Sequence, residues 1–123
     1  MKFDCMEQNG IKIAVVISNE KAITNAQSVL DLLATASYEA GTDRIAIGKE
    51  TIEDAFFVLS SGLAGEVLQK IVNYHAKIAI YGDFSHYTSK PLKDFMYESN
   101  RGNDIFFVAT KEEAIERLAG RRA

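Results

Sequence analysis

The sequence predicts an α/β domain built on a mostly parallel five-stranded sheet that opens with an antiparallel hairpin. Three observations carry this expectation. Short apolar runs rich in β-branched residues alternate with segments of helical periodicity, Asn9-Gly10 joins the first two runs, and helix-start and helix-stop residues bracket the periodic segments. Alternation of this kind implies parallel pairing, because each crossover returns the chain to the same end of the sheet.

Lys2–Glu7 and Ile11–Ile17 read as the first two strands, with Asn9-Gly10 as a type I′ turn whose residues both tolerate positive φ. Ile11, Ile13, Val15 and Ile17 repeat with period two while Ala14 and Val16 are also apolar, so the second strand is expected to be covered on both faces. Thr24 with Gln27 three residues later reads as a capping box. Val29, Leu30, Leu32, Leu33 and Ala36 follow at helical spacing, and Gly41 ends that helix.

Asp43–Ile47 is the expected third strand. Thr51 then caps a helical segment presenting Ile52, Phe56 and Leu59 on one face. Ser60-Ser61-Gly62 breaks it, and a further helix carries Leu63, Val67, Leu68, Ile71 and Val72. Lys77–Tyr81 is a fourth strand ended by Gly82-Asp83. Ser89 as N-cap, Pro91 in the first turn and Gly102 at the exit frame a helix over Leu92–Asn100. Asp104–Val108 is the fifth strand. Thr110 and Glu113 form another capping box, opening a last helix with Ala114, Ile115 and Leu118 inward and Gly120 at its end. The total is four or five helices.

With 123 residues, 47% of them apolar, the chain is expected to form one domain over residues 1–123 around one core. A net charge of −3, with Lys and Arg spread along the chain, gives no electrostatic reason for nucleic-acid binding. The Arg121-Arg122 pair is too short for a basic tail. Met1-Lys2-Phe3-Asp4 lacks the apolar stretch of a signal peptide, and no run approaches the roughly 20 apolar residues of a membrane span. The expected location is the cytoplasm. Cys5, the only cysteine, excludes an internal disulfide and a multi-cysteine zinc site and reads as a small buried residue. His75 and His86 are the only histidines and show no metal-ligand spacing, so neither a metal nor a cofactor is expected.

Two segments carry candidate chemistry. Ser60, Ser61 and Gly62 precede a helix, whose unpaired N–H groups and partial positive charge suit a phosphate or carboxylate; the plainer role of either serine is to cap that helix. The loop Gly82–Lys90 follows a parallel strand, where open α/β sheets bind ligands. Asp83 and His86 there could serve acid–base chemistry and Ser85, Thr88 or Ser89 a hydroxyl role; otherwise Asp83 is a turn former and Ser89 an N-cap. Arg101 could hold an anion, or simply complement a helix C-terminus. No G-x-S-x-G elbow, Walker loop or dinucleotide fingerprint is present.

The strand order, chain length and Ser60-Ser61-Gly62-Leu63 resemble STAS domains, the anti-sigma-factor-antagonist superfamily. In those domains a segment of this type begins a helix and its second serine can accept a phosphoryl group, which by position implies Ser61. Leu59 stands where that pattern has an acidic residue, and Glu50–Leu59 is an added segment. Gly62–Lys70, Asn73-Tyr74, Ala79–Phe84 and Phe95–Gly102 are more specific: through them the chain is identified as a member of the bacterial family described as domain of unknown function 4180, a family without an established activity.

The function expected from these readings is a cytoplasmic, non-enzymatic interaction or regulatory module. It would dock a protein partner of unknown identity around Ser60–Glu66 and the Asp83–Ser89 loop, with Ser61 as the candidate switch. The competing class is a small-molecule binder or small enzyme using Asp83, Ser85, His86 and Arg101, and a structural homo-oligomer is the third. Neither nucleic acid nor membrane is an expected partner.

Overall fold

A computed structural model describes residues 1–120, so Arg121-Arg122 lie outside the described residues. β1 (Lys2–Gln8) and β2 (Ile11–Ile17) pair antiparallel along their full lengths. Their turn has φ of 55° at Asn9 and 77° at Gly10, the double positive φ of the expected hairpin. After β2 come α1 (Ala26–Ala40), β3 (Arg44–Gly48), three short 3-10 turns, α2 (Leu63–Asn73), β4 (Lys77–Tyr81), α3 (Lys90–Arg101), β5 (Ile105–Val108) and α4 (Lys111–Leu118). The sheet order is β1-β2-β3-β4-β5, parallel from β2 onward.

Side-chain alternation divides the strands between two cores. On one face Ile45, Ile47, Ile78, Ile80, Ile105 and Phe107 join buried residues of α1, α2 and α3 in a single cluster. On the other, Ile13, Val15, Ala46, Ala79 and Phe106 lie under Ala114, Ile115 and Leu118 of α4. The three crossover helices thus share one face, as a sequential strand order with connections of one hand requires. Ala46 and Ala79 are fully buried beneath α4, and their small side chains let an eight-residue helix sit close to the sheet. Arg44 Nη1 donates to Leu118 O at 2.5 Å and Arg117 stacks over the Phe106 ring at 4.3 Å, fixing the end of that helix.

The outer edge of β5 is occupied by a side chain. Asn100 Nδ2 donates to Phe107 O at 3.1 Å and its Oδ1 accepts the Phe107 N–H at 2.7 Å, so the amide imitates one residue of a neighbouring strand.

Three local expectations are corrected. α1 starts one residue later than Thr24 suggested: Asn25 is its N-cap, accepting the Ser28 N–H while the Ser28 hydroxyl accepts the Asn25 N–H. Thr51 caps no helix; it is buried, its hydroxyl donates to Gly48 O, and the chain runs through 3-10 turns at Lys49–Thr51, Asp54–Phe57 and Leu59–Ser61. Among the described residues four α-helices therefore form. Cys5 is exposed, because β1 is an edge strand and the helical layer covers Phe3 but not the position two residues on.

Ala79→Leu is expected to overpack the sheet–α4 layer and lower stability by about 1–3 kcal/mol. Urea denaturation measures this, with Ala34→Leu on the exposed side of α1 as the comparison that changes little.

Candidate functional site

The C-terminal ends of β2–β5 open on one side of the sheet, where the segment 49–61 faces the loop from Gly82 to Ser89. Adjacent crossovers all return over the same face, so the sheet has no switch point at which neighbouring helices part to leave a crevice. The cleft found here is made instead by the 3-10 segment.

That segment is held by pairing beyond the sheet. Ile23 and Ile52 form an isolated parallel bridge; Ala22 N–H donates to Thr51 O at 2.7 Å and Glu53 N–H to Ile23 O at 2.8 Å. Lys21 Nζ donates to Glu50 O and Ile52 O at 3.0 and 3.2 Å and lies 3.9 Å from the Asp54 carboxylate. An extended residue at 52 is incompatible with a continuous helix from 51 to 59, and the 3-10 turns that replace it bury both Phe56 and Phe57.

Aromatic contacts join the segment to the loop. The Phe57 and Tyr87 rings stack at 5.1 Å and 17°, Phe57 lies 6.1 Å from Phe84, and Phe84 meets Phe107 edge-on at 5.7 Å. Between segment and loop opens a cleft of about 500 Å³, lined by Phe57, Val58, His86 and Tyr87 together with two lysines, Lys21 and Lys49, and two acids, Glu50 and Asp54. The Lys49 ammonium lies 5.1 Å from the centre of the Tyr87 ring. Its stem crosses the end of β4 at Gly82, where an added Cβ would come within 2.8 Å of Lys49 Cβ; only glycine permits that approach.

The loop itself is a turn followed by a cap. Asp83 Oδ1 accepts the Ser85 N–H at 2.9 Å, Tyr87 N–H donates to Phe84 O at 3.2 Å, and the Ser89 hydroxyl accepts the Leu92 N–H to start α3. Ser85, His86 and Thr88 are exposed, and the His86 ring sits 4.2 Å from that of Tyr87. The Ser85 hydroxyl and then its amide hold the Asp83 carboxyl below its ordinary value of 3.8, and the charges of His86 and Lys49 add to this. Across the strand end, burial first and then the Glu50 and Glu112 carboxylates push the Tyr81 phenol above its ordinary value of 10.0.

Ser61 lies at the junction of the last 3-10 turn and α2. Gly62, at φ 84°, is the N-cap and provides no side chain, so neither serine occupies the cap position. The exposed Ser61 hydroxyl instead donates to Ala55 O at 2.5 Å and accepts the Leu63 N–H at 3.2 Å, bracing the cleft wall against the start of the helix. Ser60 is exposed beside it.

Asp83, Ser85 and His86 are thus together on the loop, with Thr88 and Ser89 following. Arg101 is not with them. It ends the 12-residue helix that Ser89 begins, about 18 Å away along the axis at the ordinary rise per residue, and its guanidinium lies 5.7 Å from the Tyr97 ring. His75 precedes β4 whereas His86 follows it, so the two histidines lie at opposite ends of the strand. Among the described residues no group of three or more His, Cys, Asp or Glu side chains could hold a metal. Reading the sequence did not single out Lys49, Phe57 or Val58. The available signal was the position of Lys49 directly after a parallel strand, equivalent to that of Gly82-Asp83 after the next one.

Ser85→Ala is expected to raise the Asp83 titration midpoint toward 3.8, followed by the carboxyl carbon signal in an NMR pH titration. Because the folded carboxyl is depressed, its contribution to the turn is complete above the ordinary value and is lost as pH falls through the lowered one. An unchanged midpoint in the variant would assign the depression to another group.

No helix among the described residues is long and apolar enough to cross a membrane. No curated protein matches the chain significantly, and neither does any solved structure. The profile of the family described as "Domain of unknown function (DUF4180)" matches residues 8–118, from the last residue of β1 to the last residue of α4. The chain therefore belongs to the DUF4180 family.

Proposed function

We propose that this chain is a non-enzymatic regulatory module of the cytoplasm that docks a protein partner on its strand-end face, with Ser61 as the switch. One observation carries the reading: an exposed serine hydroxyl is at once the donor to Ala55 O and the acceptor from Leu63 N–H. A phosphoryl group at that oxygen would remove the donor and leave only acceptors, while adding roughly −1.5 to −2 charges beside a helix start. The α2 end of the junction tolerates such an anion, since helix N–H groups and the macrodipole favour it. The Ala55 end does not. Its carbonyl loses the Ser61 donor and keeps only the Val58 N–H, so the brace that ties the turn Asp54–Phe57, one side of the cleft, to the start of α2 is removed.

The resemblance of Ser60-Ser61-Gly62-Leu63 to the STAS phosphoacceptor segment supports the same residue, and the reading takes the hairpin-led sheet as STAS-like. Leu59 in place of an acidic neighbour points to recognition by a modifying enzyme unlike those of typical STAS domains. The docking surface comprises the Ser60–Glu66 stretch and the Asp83–Ser89 loop, which the Phe57–Tyr87 stack joins mechanically.

Ser61→Ala and Ser61→Asp are both expected to speed amide exchange over Asp54–Leu59 and to cost up to about 1 kcal/mol, the usual net worth of such a hydrogen bond. With the three forms as baits in the source cells, a partner retained by wild type should be lost from Ser61→Asp, which adds charge as well as removing the donor, and weakened but kept by Ser61→Ala, which only removes the donor. Equal retention by all three would remove the switch, and no retained partner would remove the docking reading.

A further inference from the structure

We propose that the cleft between the 3-10 segment and the loop after β4 is a binding site for a small organic anion: a carboxylate or phosphate group carried on a flat, apolar body. This goes beyond the docking reading and requires neither a modified Ser61 nor a protein partner.

The charge arrangement points to an anion. Of the two lysines at the cleft, Lys21 is committed: its ammonium serves two backbone carbonyls and faces Asp54, so that pair is internally neutralised. Glu50 turns its carboxylate to the opposite face of the sheet end, where its Oε1 sits 2.8 Å from where a Cβ on Gly48 would stand and its charge acts on Tyr81. Lys49 has a ring beneath its ammonium, and the Asp83 carboxylate, whose charge reaches both Lys49 and His86, accepts the Ser85 N–H. His86 adds a second nitrogen donor beside the same ring.

The site is also built before anything enters it. The Lys49 stem is fixed against Gly82, a position that admits no side chain, and the ring below the ammonium is fixed by stacking on the buried Phe57. A cation held in place loses less freedom on binding than one on a mobile stem, which is the basis of preorganised recognition. Val58 exposes 55% of its surface on the same cleft, an apolar side chain that a bound hydrocarbon or aromatic body would cover. The volume, about 500 Å³, falls within the range of small-molecule pockets. An anionic head against Lys49 and His86 with an apolar body along Val58 and Tyr87 uses each of these features.

Phenyl phosphate, inorganic phosphate and benzyl alcohol, titrated separately into the full chain and followed by amide NMR shifts, test the assignment. Phenyl phosphate is expected to saturate roughly in the millimolar range, given the per-atom limits on ligands of that size. Its shifts should be confined to Lys49–Val58 and Asp83–Tyr87, and the other two compounds should bind more weakly. Lys49→Met should weaken phenyl phosphate about tenfold or more, the scale of one charge-assisted contact. Lys49→Arg should retain most of the affinity, and Lys90→Met, which removes a lysine already paired with Asp94, should change nothing. Shifts that do not saturate, or equal loss in Lys49→Met and Lys90→Met, would overturn the site. Inorganic phosphate binding as tightly as phenyl phosphate would overturn the apolar body, and benzyl alcohol doing so would overturn the anion. Should Lys49→Met fail to fold, the Lys49→Arg titration and the three-compound comparison on the wild-type chain decide the matter.

Discussion

The backbone exchange between Ala22-Ile23 and Thr51–Glu53 is the constraint on which the strand-end face depends. It prolongs the parallel pairing of β2 with β3 past the sheet proper, whose own β2–β3 register covers only Ala14↔Ile45 and Val15↔Ala46. An extended residue at Ile52 forbids a helix from starting at Thr51 and turns the chain across the end of the sheet. From that turn follow the burial of two adjacent phenylalanines, the Phe57 platform for Tyr87, and the gap into which Lys49 projects.

A second determinant is the difference in side-chain size between the two faces. On the α1–α3 face isoleucines and Phe107 fill a thick layer, and Phe107 alone meets Phe56, Phe84 and Phe95 within about 6 Å. Aromatic pairs of this geometry add roughly 0.5–1.5 kcal/mol each beyond their burial. The alanines on the other face leave room for one short helix and no more. The loops of the candidate site are therefore anchored to the thick, aromatic side, while the α4 side serves to close the sheet. Lys21 shows how polar groups at the strand ends are used for structure: its ammonium replaces strand partners for two carbonyls that the turn would otherwise leave to solvent.

What the sequence reveals depends on how local the cause is. Asn9-Gly10, Gly41, Ser89 with Pro91, and Thr110 with Glu113 act within a few residues, and the hairpin, the end of α1 and the starts of α3 and α4 follow from them. Segment 49–61 is different. Its apolar spacing satisfies a helical face, yet Ile23, far away in sequence, decides its backbone. The exposure of Cys5 has a related cause, since strand pattern does not say which strand lies at an edge. At the candidate site Asp83, Ser85 and His86 were legible because they share one loop. Lys49 was not, because its role depends on a side chain missing at Gly82 and a ring supplied by Tyr87. Arg101 was grouped with the loop by chemistry alone, and the length of α3 separates them.

Asn100 gives the sheet a direction of growth. Its amide fills the hydrogen-bonding register of Phe107 on one margin, whereas the seven residues of β1 have no strand beyond them among the described residues. A sheet with two open margins is a repeating unit and can stack edge to edge into a filament. With Phe107 on one margin already paired to its own side chain, the longer open run of backbone lies along β1, and a pairing between two copies made there uses that strand up.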